Sequence, residues 1–248
     1  MTPTLKITGL SKRYGGVLAV NNVDLQITSG GIHAIIGPNG AGKTTFFNLV
    51  AGTVPPTSGQ IIFGGSNITQ LSEADRVRLG LVRSFQHTSI FPDLTVSENV
   101  LLASMRAAHS AVFSLFGTPK GLNAAFDRTQ VTLEKLHLSS LNNQTARNLP
   151  HGALRLLDVA MALASEPKLL LLDEPTSGLS SGEAENFGTL LSELAQNYSI
   201  LLIEHNVDLV MQLAQRITVF SFGEVLADGL PHEIAENPKV QEAYFGNV

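Results

Sequence analysis

The chain has 248 residues, 44% of them hydrophobic and 15% charged, with 16 Lys+Arg against 21 Asp+Glu and a formal charge of −5. That hydrophobic share excludes general disorder, and the mild acidity argues against a dedicated nucleic-acid binder. With no cysteine, disulfides, thiolate metal sites, iron–sulfur clusters and a cysteine nucleophile are excluded.

In chain order, residues 4–36 read as β-rich. Leu5–Ile7 and Val17–Val20 are short strand-like runs, and Val23–Ile27 alternates with period two. Ser29-Gly30-Gly31 is a turn, and Ile32–Ile36 is a compact apolar strand that runs into Gly37. Helical spacing over 43–51 stops at Gly52, with Pro55-Pro56 beyond. Gln60–Phe63 predicts another strand. From about 87 to 158 the texture is helical, broken by Pro92, Gly117-Thr118-Pro119 and Gly121. Strand and helix then alternate: strand 169–173, helix 182–196, strand 199–204, helix 206–214, strands 216–221 and 224–227. This order predicts a mainly parallel sheet with crossover helices. Ile234, Val240, Tyr244 and Phe245 suggest a helical tail over 231–248. The start of the chain lacks an apolar core of secretory length and no run reaches the roughly 18 apolar residues of a membrane helix. The expectation is a soluble, cytosolic protein whose membrane role would need a partner.

Two motifs carry chemistry. Gly37-Pro38-Asn39-Gly40-Ala41-Gly42-Lys43-Thr44, followed by Thr45, matches G-x-x-x-x-G-K-[ST] between a strand and a helix. Triphosphate oxygens need many close donors, and a glycine-rich curl turns successive N–H groups inward at the positive end of a helix. Lys43 is expected on the β- and γ-phosphates of ATP and Thr44 on Mg²⁺. The second motif is Leu169–Leu172 followed by Asp173-Glu174. Adjacent acids at the end of a buried strand are costly unless they face a positive charge. Beside a phosphate loop that charge is the metal. Asp173 is then expected in the Mg²⁺ shell, with Glu174 orienting or deprotonating the attacking water.

These motifs, in this order, resemble the ATP-binding subunit of ATP-binding-cassette (ABC) transporters, nearly end to end. The resemblance implies a P-loop NTPase core (1–86 and 159–230), an antiparallel N-terminal β-subdomain, an inserted helical subdomain (87–158) and the tail 231–248, all one nucleotide-binding domain. It implies that Tyr14 stacks on adenine, that Gln86 senses Mg²⁺, water and the membrane partner, and that His205 contacts the γ-phosphate. The phrases Arg83–His87, Phe91–Val100 and Ile203–Asn206, with the ending Ala243–Gly246, are similar to the branched-chain amino-acid importer group and its urea and amide relatives. The partners implied are a second ATPase subunit (the same chain or another), two membrane permeases and, indirectly, an extracytoplasmic solute-binding protein. Nucleic acid is not among them. The place implied is the inner face of the cell membrane.

One stretch departs from the family pattern. Leu149-Pro150-His151-Gly152-Ala153 stands where Leu-Ser-Gly-Gly-Gln is usual, keeping Gly152 for phosphate but losing the serine hydroxyl and the glutamine. Ser180-Ser181 replaces a common Asp or Asn followed by Pro. The expectation is a weakened signature half beside an intact phosphate-loop half. The alternatives are a weakly hydrolytic nucleotide-binding partner in a heterodimer, or an exporter.

Overall fold

The computed structural model describes residues 4–84, 90–109 and 119–245. In chain order its elements are strands β1 (Leu5–Tyr14), β2 (Val17–Ile27) and β3 (Gly31–Ile36), helix α1 (Lys43–Ala51), β4 (Ser58–Phe63), β5 (Ser66–Asn67), α2 (Glu73–Leu79) and β6 (Leu81–Arg83). Then come helices α3 (Val96–His109), α4 (Pro119–Lys135) and α5 (His151–Ala164), β7 (Leu169–Asp173), α6 (Ser181–Leu194), β8 (Ser199–Ile203) and α7 (Val207–Leu213). The chain closes with β9 (Arg216–Ser221), β10 (Glu224–Gly229), α8 (Pro231–Ala235) and α9 (Pro238–Phe245).

The strands form two sheets. A four-stranded antiparallel sheet has the order β2-β1-β4-β5, and a six-stranded sheet has the order β10-β9-β3-β8-β7-β6. In the larger sheet only the β9–β10 edge is antiparallel. Its central strands are covered on both faces, so they read as unbroken apolar runs. The pleat still divides them: Leu170, Leu172, Ile200 and Leu202 enter one core, and Leu169, Leu171, Leu201 and Ile203 enter the other. The second core lies between the sheets and is filled by α1, whose Phe46, Phe47, Leu49 and Val50 are fully buried.

The structure extends the expected strands. The first two runs belong to a hairpin of ten- and eleven-residue strands. β6, the sheet's edge, and α2 were not anticipated. The expected limit at 158 falls inside α5, where Leu157, Val159 and Ala160 are all core residues. A helix whose buried stripe is continuous has no reason to break there.

His33, read from the sequence as structural, lies in the middle of β3. Its Nε2 is 2.7 Å from the Thr218 hydroxyl, and that hydroxyl is 2.9 Å from Asp228 Oδ1. The carboxylate can only accept, so Thr218 donates to it and receives the Nε2 proton of a neutral imidazole. Burial pushes His33 down to about 4, against the pull of Asp228. Above pH 6.5 the ring is neutral folded or unfolded. As the pH falls, the unfolded ring takes up a proton that the folded one refuses. Stability is therefore lost between about pH 6.5 and 4, by about 3 kcal/mol. Urea midpoints across that window should drop less in His33→Gln, and equal slopes would refute the assignment.

Candidate functional site

The phosphate loop is a strand–turn–helix: β3 ends at Ile36, and α1 begins at Lys43 with Gly42 as its N-cap. Gly42 has φ +97°, and a Cβ there would collide with the Ala19 carbonyl oxygen on β2. Only glycine lets the loop pass under that strand. Lys43 is 6% exposed, and its ammonium donates to the carbonyls of Gly37 (2.6 Å) and Pro38 (3.0 Å), folding back over the loop. Burial lowers its pKa, while Glu174 and Asp173 act in the opposite sense, so their carboxylates share the lysine's field.

Asp173 ends β7 and pairs with β8 at Ile203. Its Oδ2 accepts from Arg83 at 2.6 Å, whereas its buried Oδ1 has no partner. Burial raises its pKa, and Arg83 pulls against that rise. Glu174 turns sharply off the strand with φ +49°, a left-handed conformation unusual for glutamate. Its N–H is held by the Ile203 carbonyl (2.9 Å), and its Oε1 lies 2.7 Å from His205 Nε2. A backbone strained in this way is kept only where its surroundings over-determine it. Here the turn aims the carboxylate at the histidine.

Glu204 completes that restraint, a role the sequence did not reveal. It is 4% exposed; Oε1 accepts from the Thr176 N–H (3.0 Å) and hydroxyl (2.5 Å), and Oε2 from the His205 N–H (3.0 Å). One carboxylate thus ties the loop after Glu174 to the loop carrying His205.

Tyr14 sits at the β1–β2 tip, 46% exposed, with the Lys12 ammonium 5.1 Å from its ring centroid. Gln86 lies outside the described residues. Pro38, Asn39, Gly40 and Ala41 border a cleft of about 720 Å³ shared with Phe222, Lys239 and Ala243. The tail borders the same cleft, and burial pushes the Tyr244 hydroxyl up to about 12, with the Gly37 backbone pulling the other way. Thr44 and Thr45 follow Lys43 on the first turn of α1.

At Leu149–Ala153, Pro150 is the N-cap of α5, with extended φ −64° and ψ 158° and no side-chain cap. The helix start abuts the turn before α6: a Cβ on Gly152 would be 3.1 Å from Glu183 Oε1. Glu183 is fixed there by a capping box, its Oε2 accepting from the Ser180 N–H (2.9 Å) and hydroxyl (2.6 Å). Ser180 therefore caps α6.

Residues 20–177 match the model of the family described as ABC transporter. The chain belongs to the ABC transporter ATP-binding family. Its end, residues 224–248, matches the family described as branched-chain amino acid ATP-binding cassette transporter. The cassette is 41% identical to the high-affinity branched-chain amino acid transport ATP-binding protein LivG of Escherichia coli K12, covering 99% of each chain. It is 38% identical, with the same coverage, to the corresponding protein BraF of Pseudomonas aeruginosa. A solved ATP-binding cassette of an ABC transporter superposes with a TM-score of 0.86 at 28% identity, covering 99% of this chain and 100% of that one. The fold expected from the sequence, a P-loop core with an antiparallel N-terminal sheet and added helices, is the one observed. The cassette is an ABC-type ATPase.

Oxygen donors suited to Mg²⁺ are present in small number, namely the Thr44 hydroxyl and the orphaned Asp173 Oδ1. Mg²⁺ characteristically takes one or two protein oxygens, keeps several waters and is completed by substrate phosphates, so the residues fit it.

Proposed function

We propose that this cassette binds and hydrolyses ATP to drive an importer of branched-chain amino acids, or of the similarly small urea or amide solutes. The observation that carries the hydrolytic part is the Glu174–His205 contact beside the Lys43-bearing loop. The tail match and the full-length likeness to LivG and BraF support the solute class, and they disfavour an exporter or a weakly hydrolytic partner.

In this reading the loop of residues 37–45, through its backbone N–H groups other than at Pro38, holds the triphosphate together with Lys43, and Tyr14 receives the adenine. Thr44 and Asp173 would hold Mg²⁺, with Gln86 as a further ligand, and the bound ion would supply charge neutralisation for the phosphates. Glu174 accepts the proton of the water whose oxygen attacks the γ-phosphorus as the bond to the ADP oxygen breaks. His205, fixed by Glu204, meets the γ-phosphate. A second cassette contributes its Gly152 helix start across a head-to-tail dimer. Two permeases transmit the motion at the inner membrane face, and a solute-binding protein delivers the cargo outside. Proteoliposomes holding the cassette with its co-purifying membrane subunits, with the solute-binding protein outside, should take up leucine only when ATP is enclosed. Turnover without uptake of leucine, urea or acetamide would overturn the solute assignment.

The signature of this cassette is weakened in the same reading. At Pro150 a serine would occupy a backbone already extended as an N-cap requires, adding both a cap and a phosphate donor. Pro150→Ser should raise turnover about tenfold, below the full worth of one transition-state donor. Unchanged turnover would mean that the neighbouring backbone compensates.

A further inference from the structure

Arg83 ends the edge strand β6, where its backbone lies level with Leu171 of β7. Its side chain is 9% exposed and divides its bonds between two elements. Nη2 donates to Asp173 Oδ2 at 2.6 Å, and Nη1 donates to Asn48 Oδ1 on α1 at 2.7 Å. The guanidinium carbon lies 5.9 Å from the ring centroid of Phe47, also on α1. An arginine facing a carboxylate usually closes a two-bond fork. Here Asn48 takes the other arm, Nε stays without a partner, and so does Asp173 Oδ1. The Asp173 side chain is 1% exposed, so water does not readily replace the missing donor. A pair serving stability alone would gain by using both oxygens, because a buried acceptor without a partner keeps its whole desolvation cost.

We propose that Arg83 is a positioning residue for the metal-side carboxylate. It pins Oδ2 of Asp173 to the helix that carries the phosphate loop and leaves Oδ1 free for the nucleotide's Mg²⁺. This rests on the ATP reading above and extends it to a residue for which the sequence reading names no role. The bond to Asn48 makes the arrangement three-cornered: α1 cannot shift against β7 without disturbing the carboxylate. Arg83 carries a full positive charge near the ion's place, so its value lies in geometry, not in attraction to the metal.

The test uses the full chain, with Arg83→Gln and Arg83→Lys, and a fluorescent ATP analogue titrated in EDTA and then against Mg²⁺. In EDTA the affinity of Arg83→Gln should stay within about twofold of the unaltered chain, since Lys43 and the loop are untouched. The Mg²⁺ concentration giving half of the ion-dependent gain should rise at least about tenfold, the usual loss when a residue supporting a metal ligand is removed. Arg83→Lys should recover part of it, because an ammonium reaches Oδ2 but does not span to Asn48. An unchanged Mg²⁺ midpoint in Arg83→Gln would overturn the proposal. Equal loss in EDTA and in Mg²⁺ would overturn it too, by showing a general role in the fold. An unaltered chain that bound no analogue in either condition would overturn the ATP reading itself, and this proposal with it.

Discussion

Replacing Glu174 by Gln should reduce ATP turnover about 10³-fold, equivalent to about 4 kcal/mol of barrier, while leaving ATP affinity within a few-fold. The substitution preserves shape. The strained backbone at φ +49° and its bond to Ile203 do not depend on the carboxylate. An amide at the same place still meets His205 Nε2, now 2.7 Å from Oε1. What it loses is the capacity to accept a proton from water. Phosphate release and nucleotide binding, measured on the same preparation, separate the two effects. Turnover within threefold of the unaltered protein would remove Glu174 from the reaction and move attention to His205. Loss of binding along with turnover would mean that the carboxylate shapes the loop through Lys43, whose field it shares.

The parts of the fold legible in the sequence are those where local pattern and tertiary demand coincide. Ile32–Ile36 into Gly37, then helical spacing from Lys43, spells a phosphate loop because strand, curl and helix each have a compositional signature. Leu169–Leu172 announces a strand buried on both faces. The β1–β2 hairpin was read too short because Ser11, Lys12 and Arg13 sit on a partly exposed strand, where polar side chains are tolerated. α2 and β6 were missed for a related reason: seven and three residues are too few for periodicity to register. Arg83, Glu204 and Arg76 escaped for another reason. Each acts by spanning elements far apart in the chain, as Arg83 does 90 residues from Asp173, and no spacing rule records such a bond. Glu204 even stands beside His205, and nothing in that adjacency says that it also holds Thr176.

Arg76 is a stabilising anchor of this kind. It is 1% exposed and has no carboxylate partner among the described residues. Its guanidinium instead donates to four carbonyls: Leu49 (2.6 Å), Val50 (2.7 Å), Thr69 (3.1 Å) and Leu71 (3.1 Å). Two of these are the last carbonyls of α1, the negative end of the helix whose positive end forms the phosphate loop. Gly52, the C-cap, gives it room: a Cβ there would stand 2.7 Å from Nε. Arg76→Leu fills much of the volume but leaves those buried acceptors without donors, at about 1–3 kcal/mol each before relaxation. The expected loss is about 3–5 kcal/mol in urea unfolding, a large part of a domain's stability. Arg78, two residues on, is the control. Its side chain is 69% exposed and its ion pair with Asp75 stays within one helix, so Arg78→Ala should cost under about 0.5 kcal/mol. Similar losses in both variants would show that charge on α2, and not the capping of α1, is what matters. A large loss confined to Arg76 would mean that capping the far end of the helix that opens at the phosphate loop carries a large share of the domain's stability.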